Sequence, residues 1–468
     1  MPLRILLSPR WSRRGVLLAV AAGVLTCGRA QEIGVAGTMP EDFLPGLRSL
    51  LAVALKQSPT MVADELLVAA ADAQRGMAGV APMLPYVAFY PGYGKSVETV
   101  SGGGASSGQN GLIYTGTIRQ NIFEWGTLKN QLEIQKAVEL ITAKNYAEGY
   151  RNFAASLRRQ YLALIVAKVD LRNAQYGLKL SQQALALARD KLQHGTIASS
   201  EITGPELDAD ERQLAVDRAT QVYVFARQTL AHQVGLKDIA DETIPLEMPR
   251  PKYSPEASEY LLAGLMRDGA RGNFQAQVAE LNIREADLSY KIARVRLLPQ
   301  FYATAGISQE DNTSATAQTV QQTLVTNKSY YLEVSWTLFD GLATHWAKVQ
   351  ALDNKRYWER QLEVVTDSTM DQAENARHNV EFSWRALGLA ERRWNMASGY
   401  LVHTRAELRL GNVSQDDVAA ATNGLYLSES AIASARADFL STWSDFVSLV
   451  GADPALAQLP AHYVHDLR

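Results

Sequence analysis

The chain of 468 residues holds a single cysteine, Cys27, which excludes an internal disulfide framework and any multi-cysteine zinc site. It has no run of the roughly 20 consecutive apolar residues that a membrane-crossing helix needs. An excess of one charge is also missing: 46 Lys and Arg stand against 49 Asp and Glu, a net charge of −3. The basic residues are scattered rather than gathered beside aromatics, so no footprint for nucleic acid exists. Proline is absent from Thr127 to Gly195 and again from Leu342 to Gly411. With 47% hydrophobic and 8% aromatic residues, the chain can build a core, and wholesale disorder is excluded. Length alone would suggest about three domains of ~150 residues.

Residues 1–30 carry Arg4, Arg10, Arg13, Arg14 and Arg29 and no acid, followed by a short apolar run from Val16 to Cys27 and small residues at Gly28 and Ala30. That order reads as a bacterial export signal, and its removal after Ala30 would take the net charge from −3 to −8. Ser12-Arg13-Arg14 has a twin-arginine look, and Val24-Leu25-Thr26-Cys27 offers Cys27 as a possible lipidation site. A buried N-terminal helix fits poorly with five arginines.

Laid on itself at an offset of 214 to 216, the chain matches in four places, in order. Leu84-Pro85 falls on Leu298-Pro299, and Phe123-Glu124-Trp125-Gly126 on Phe339-Asp340-Gly341, with Trp125 extra in the first copy. His194-Gly195 falls on Leu410-Gly411, and Val234-Gly235 on Val450-Gly451. Pro245, Pro249, Pro251 and Pro255 mark an irregular linker between the copies. The expected organisation is a signal at 1–30, a first repeat at 31–243, a linker at 244–270, a second repeat at 271–451 and a tail at 452–468. Strands are expected at about 85–123 and 300–339, and helical hairpins at about 127–234 and 342–450.

Leu157, Leu164, Leu171, Leu178, Leu185 and Leu192 recur every seven residues, with Ala167, Ala174, Ser181 and Ala188 three positions after four of them. This is a coiled-coil seam of large and small residues. The second copy keeps the register with Ala373, Val380, Leu387, Trp394, Leu401 and Leu408. Each proline-free segment can be one helix about 100 Å long, stopped by a left-handed glycine at Gly195 or Gly411. A second helix then returns over about 203–234 or 416–449. Periodicity by itself also fits two antiparallel coiled coils with no channel.

Before each long helix the period changes from seven to two. Phe301, Ala303, Ala305 and Ile307 alternate with Tyr302, Thr304, Gly306 and Ser308; Tyr330, Leu332, Val334, Trp336 and Leu338 alternate with polar or aromatic neighbours. In the first copy, Tyr86 to Tyr90 and Leu112 to Phe123 alternate less cleanly. Strands of about ten residues with one apolar face suit a membrane β-barrel, and a soluble sheet with one wet face is the alternative. The polar connectors Ser101 to Gly111 and Gln309 to Lys328 suit an aqueous face. Four strands cannot close a barrel, for which about eight is the minimum, and open edges are not tolerated in lipid. A barrel would therefore be shared among chains.

Taken together, these features resemble the TolC-type outer membrane efflux proteins: an export signal, two copies of helix–strand–strand–long helix–helix, Leu-Pro before the strands and Phe-Asp-Gly entering the long helix. The resemblance covers about Ser49 to Gly451. It implies a mixed α+β membrane protein, a homotrimer whose 12-stranded barrel sits in outer-membrane lipid and continues as a periplasmic α-helical barrel. Such a trimer is a passive exit duct working with a periplasmic adaptor (membrane fusion protein) and an inner-membrane RND, ABC or MFS transporter. The family's tip glycines match Gly195 and Gly411, where an adaptor would dock, and its acidic residue six positions after the second glycine matches Asp417. Three copies of Asp417 would form a carboxylate ring favouring cations. A second family acid is Ala420 here, and Asp416 and Glu201 are weaker candidates for the same lining. Asp417 can equally be a helix N-terminal charge that complements the dipole.

No enzymatic constellation emerges, and no cofactor is expected. Gly94-Lys95-Ser96 lacks the glycine five positions earlier that a phosphate loop needs, since Phe89 stands there. The seven histidines form no HExxH motif, and His462 and His465 lie in the tail. Gly104-Ala105-Ser106-Ser107-Gly108 matches a nucleophile-elbow string inside a Gly/Ser-rich connector with no helix after it. Glu374 and His378 read as a surface pair on the long helix. An exported hydrolase using Ser106 has no supporting partners; the stronger rival is an exported coiled-coil scaffold of the periplasm without a pore, with or without a lipid on Cys27. The cargo is not legible, because a wide aqueous duct leaves selection to its pump and adaptor.

Overall fold

The computed structural model of the chain describes residues 38–99, 106–268, 273–315, 320–460 and 463. The expectations for the export signal, for Cys27 and for His462 and His465 lie outside the described residues. In chain order the main elements are α1 (Pro40–Phe43), α2 (Pro45–Gln57), α3 (Pro59–Val80), β1 (Tyr86–Thr99), β2 (Ser106–Phe123), α4 (Thr127–Gln193) and α5 (Thr203–Val234). They continue with α6 (Pro255–Asp268), α7 (Phe274–Val295), β3 (Gln300–Ala315), β4 (Val320–Ser335), α8 (Ala343–Leu410) and α9 (Gln415–Leu449). The two proline-free segments are single helices of 67 and 68 residues. Among the described residues, no helix is long and apolar enough to cross a membrane.

The chain divides into two compact units, one holding residues 65–145 and 275–365, the other the remainder. The first contains one antiparallel sheet in the order β1-β2-β3-β4. Its ladders are longer than the expected ten residues: β3 and β4 stay paired from Gln300↔Ser335 out to Ala315↔Val320, through most of the polar Gln309–Lys328 connector. β1 and β2 likewise pair out to Thr99↔Ser106. An antiparallel ladder is made by main-chain groups, so once register is set it runs on through Thr- and Gln-rich sequence. Pro91 is tolerated inside β1 because that strand lies at the sheet edge, where a missing N–H removes no ladder bond. At the other end, β4 stops at Ser335 rather than at Leu338, since β3 begins at Gln300 and offers no partner beyond. Trp336 instead donates its indole N–H to the Leu297 carbonyl at 3.1 Å, while Trp125 donates to the Pro299 carbonyl at 2.7 Å.

Trp125 is not an extra residue in the first copy. Trp125 and Gly126 both have positive φ (52° and 83°), and so do Gly341 and Leu342 (65° and 67°). The turn into each long helix therefore needs two left-handed residues in succession, and a glycine fills one of them. It fills the second position in one copy and the first in the other, so an offset of 216 matches both positions. Helix contacts nearby are also repeated with their sign reversed: Arg75 pairs with Glu139 at 3.1 Å, whereas Asp287 pairs with Lys355 at 3.2 Å.

In the second unit, side-chain contacts set the helices in a row. Ser181 of α4 donates to Asp208 of α5 at 2.5 Å. On its other side α4 meets α9, where Arg172 pairs with Glu429 at 2.5 Å and the Tyr176 and Tyr426 rings lie 4.3 Å apart. α9 in turn meets α8 through Ser383 and Thr442 at 2.8 Å and Trp384 and Phe439 at 5.1 Å. The order is α5–α4–α9–α8. The leucine seam is fully buried at Leu157 and Leu164, as is the second one at Ala373, Val380 and Leu387.

The proline-rich segment is irregular only as far as Ser254, for Pro255 opens α6. Proline suits a helix's first position, where its missing N–H would find no partner in any case. The irregular part is pinned to the row: Tyr253 packs among Trp384, Phe439 and Trp443 with centroids 5.4–5.8 Å apart, and Arg436 donates to the Met248 carbonyl at 2.6 Å. Beneath it lies Arg158, fully buried, with two bonds to Glu41 (2.6 and 3.0 Å), two to Asp453 (both 2.7 Å) and one to Ser444. Burial opposes the guanidinium charge, but the two carboxylates outweigh it and hold the proton more tightly than usual.

Candidate functional site

The hairpin tips are built from backbone geometry. Gly195 has φ 72°; its N–H bonds the Leu192 carbonyl at 3.0 Å and the Thr196 N–H bonds the Lys191 carbonyl at 2.9 Å. Gly411 repeats this with φ 78°, Leu408 at 3.1 Å, and Asn412 to Glu407 at 3.0 Å. Both are Schellman stops, in which a left-handed glycine lets two otherwise orphaned carbonyls find donors. Nothing lies within 4 Å of where a Cβ would stand at either glycine. The tips are thus exposed, with glycine required by backbone twist and not by crowding. Gly235 differs, because a Cβ there would meet the Gln57 carbonyl oxygen at 2.1 Å.

After Gly411, Ser414 caps α9 and Asp417 completes a capping box. The Ser414 hydroxyl accepts from the Asp417 N–H at 3.2 Å, and the Asp417 carboxylate accepts from the Ser414 N–H at 2.8 Å and its hydroxyl at 2.7 Å. Hydrogen bonds from the Ser414 hydroxyl, then from its backbone, hold the Asp417 carboxyl below the ordinary aspartate range. Asp417 therefore serves as a helix cap while remaining exposed. The Ser-x-x-Asp spacing of this box was readable in the sequence but went unused there. Asp416 is exposed in the same first turn. Glu201, also exposed, closes the loop before α5, exchanging bonds with Ala198 at 3.0 and 3.4 Å.

In the sheet unit, β1 and β4 form the two edges and carry many exposed apolar side chains. Tyr90, Tyr93, Tyr330, Leu332 and Val334 are between 57% and 85% exposed. A polar cluster across β2, β3 and β4 was missed by sequence reasoning, because it depends on register. Arg119 pairs with Glu333 at 3.0 Å and lies 3.9 Å over the Tyr302 ring, while Thr304 donates to Glu333 at 3.2 Å. Gly94, Lys95 and Ser96 lie within β1 and Ser106 opens β2, and neither site precedes a helix. His378 is 3.9 Å from Glu381 on its own helix. Among the described residues, no group of His, Cys, Asp and Glu could hold a metal ion.

The chain thus combines an open antiparallel sheet that has exposed apolar edges with two helices of nearly 70 residues, each followed by a shorter helix. Residues 50–236 match the family model of outer membrane efflux proteins. Over most of its length the chain has the fold of solved membrane proteins at low identity. A membrane protein from Pseudomonas aeruginosa is 16% identical, with a TM-score of 0.63 over 90% of this chain and 93% of that one. The Campylobacter jejuni CmeC outer membrane channel is 12% identical, with a TM-score of 0.67 over 88% and 87%. The open state of the Neisseria gonorrhoeae MtrE outer membrane channel is 16% identical, with a TM-score of 0.64 over 87% and 89%. No curated protein matches the chain in sequence. By fold the chain is thus similar to these outer-membrane channels, and residues 50–236 carry the pattern of the outer membrane efflux protein family.

Proposed function

We propose that three copies share one 12-stranded barrel and form the passive exit duct of a tripartite efflux or type I secretion system. The observation that carries this is the four-stranded sheet with two open edges, β1 and β4, both rich in exposed apolar residues. In lipid such edges must be paired, and four strands are too few to pair them within one chain. On this reading the chain comprises two tandem repeats, 31–243 and 271–451, joined by the linker at 244–270. Energy comes from an inner-membrane RND, ABC or MFS pump through a periplasmic adaptor that docks at the Gly195 and Gly411 tips. Asp417, flanked by Asp416 and with Glu201 on the other hairpin, lines the periplasmic end and favours cations. A cap bonded to Ser414 is compatible with that role, because its exposed carboxylate stays charged.

The test is the molar mass of protein purified from the outer-membrane fraction in detergent, by light scattering corrected for bound detergent. Three chains per particle are expected. A monomer, or no protein in that fraction, would refute the shared barrel.

A further inference from the structure

The register of the sheet sorts its side chains onto two faces, because successive residues of a strand alternate and residues directly opposite one another share a face. One face carries Ile118 with Ala305, and Phe123 with Phe301 and Val334. The other carries Arg119 with Thr304 and Tyr331, and Tyr302 with Glu333. Between the level of Phe301 and that of Gly306, the charged residues of β2, β3 and β4 are Arg119 and Glu333. Both lie on the second face.

These two charges stand on strands that are not neighbours and meet across β3. The Arg119 guanidinium lies 3.9 Å over the Tyr302 ring and donates to the Glu333 carboxylate at 3.0 Å, while Thr304 of β3 donates to the other carboxylate oxygen at 3.2 Å. The ring holds the cation by its π face, and the hydroxyl steadies the anion. Arg119 keeps 40% of its side chain exposed and Glu333 34%, so the pair opens to whatever fills the space beside that face. Glu124, just past β2, lies within reach of the Arg119 charge but makes no ion pair among the described residues. A charged pair is expensive on a lipid face and at home on a lumen face.

We infer that Arg119 and Glu333 are selectivity-determining residues on the transport path, a ring of mutually neutralised charges inside the barrel. This rests on the shared barrel proposed above. Rotation about one axis leaves every residue at its own level, so three copies place three guanidiniums and three carboxylates at one height of the lumen. While each cation is held on its anion, the two fields largely cancel a few ångströms away, and the ring discriminates little between cations and anions. Removing one partner uncovers three like charges facing water, and a ring of like charges selects by sign. The barrel would thus be kept indifferent to the charge of its cargo by a cross-strand pair that Tyr302 and Thr304 hold in place.

The test is the cation-to-anion permeability ratio of the full-length protein in planar bilayers, from reversal potentials at about 0.01 M salt, where charges reach about 30 Å. Glu333→Gln should move the ratio toward anions and Arg119→Gln toward cations, each by about threefold for three uncovered charges across a water-filled lumen. The exchange Arg119→Glu with Glu333→Arg should return it to the wild-type value. All shifts should vanish at 1 M salt, where the screening length is about 3 Å. No shift at low salt, or shifts of the same sign in both single variants, would overturn the ring. A second measurement leaves the pair in place and so does not depend on how the charge variants assemble. With Cys27→Ser as background, Thr117→Cys on the charged face should react with a charged, membrane-impermeant thiol reagent, and Ile118→Cys on the other face should not. The reverse pattern in protein that light scattering shows to be trimeric would overturn the ring and leave the shared barrel intact. A monomer would instead sink the shared barrel itself.

Discussion

Asp417 shows how a single residue can hold two assignments at once. Its carboxylate is bound to Ser414, which keeps it ionised to lower pH than a free aspartate, yet it remains exposed at the start of α9. If it lines the periplasmic end, Asp417→Ala should reduce cation preference in single-channel recordings; unchanged selectivity would remove it from the proposal. The sign of the pH effect follows from the lowered carboxyl. Cation preference should persist as pH falls through the ordinary aspartate value of about 3.9 and fade only below it. The capping contribution to stability, present above that value, should be lost over the same lower window. Arg158 makes a different prediction. Arg158→Met leaves the Glu41 and Asp453 carboxylates buried without their cation, which costs about 3–5 kcal/mol and should lower the thermal unfolding temperature.

At the scale of elements, the marked glycines separate by what surrounds them. Gly195→Ala and Gly411→Ala meet no neighbour, so each should cost only the left-handed backbone penalty of about 1–2 kcal/mol. Gly235→Ala faces the same penalty and also drives a Cβ into the Gln57 carbonyl, so it should destabilise the protein most in thermal denaturation. An equal loss at all three would refute that distinction. For β4, Leu332→Arg or Val334→Arg on an apolar face should cost about 2–4 kcal/mol if that face meets lipid. The readout is a drop in outer-membrane assembly by fractionation; normal assembly would show that the face is not in lipid.

For the whole molecule, the question is what completes the open sheet and the open helix row. Each has one edge from the first half of the chain and the other from the second: β1 and β4 in the sheet, α5 and α8 in the row. Neither a four-stranded sheet nor a four-helix row encloses a channel. If three copies share the barrel as proposed, main-chain pairing of β1 with β4 joins them, and that joint is little screened by salt. Molar mass measured across a salt series in detergent should therefore stay constant, and dissociation that rises steeply with salt would count against strand pairing as the joint.

Much of this architecture was legible because it is periodic. The sevenfold leucines from Leu157 to Leu192, the alternation from Phe301 to Ser308 and the tip glycines each report a local geometry that the residues themselves demand. The Schellman turns at Gly195 and Gly411 likewise need only the sequence, since no L-residue with a side chain adopts that twist cheaply. Where the strands end was decided in three dimensions, because a ladder stops only where its partner stops, as β4 does at Ser335 opposite Gln300. Trp125 looked like an insertion because two left-handed positions cannot be counted from residue types when a large side chain occupies one of them. The Arg158 cluster and the Arg119–Glu333 pair join residues far apart in the chain. Their meeting depends on register and helix order, which local propensity does not encode.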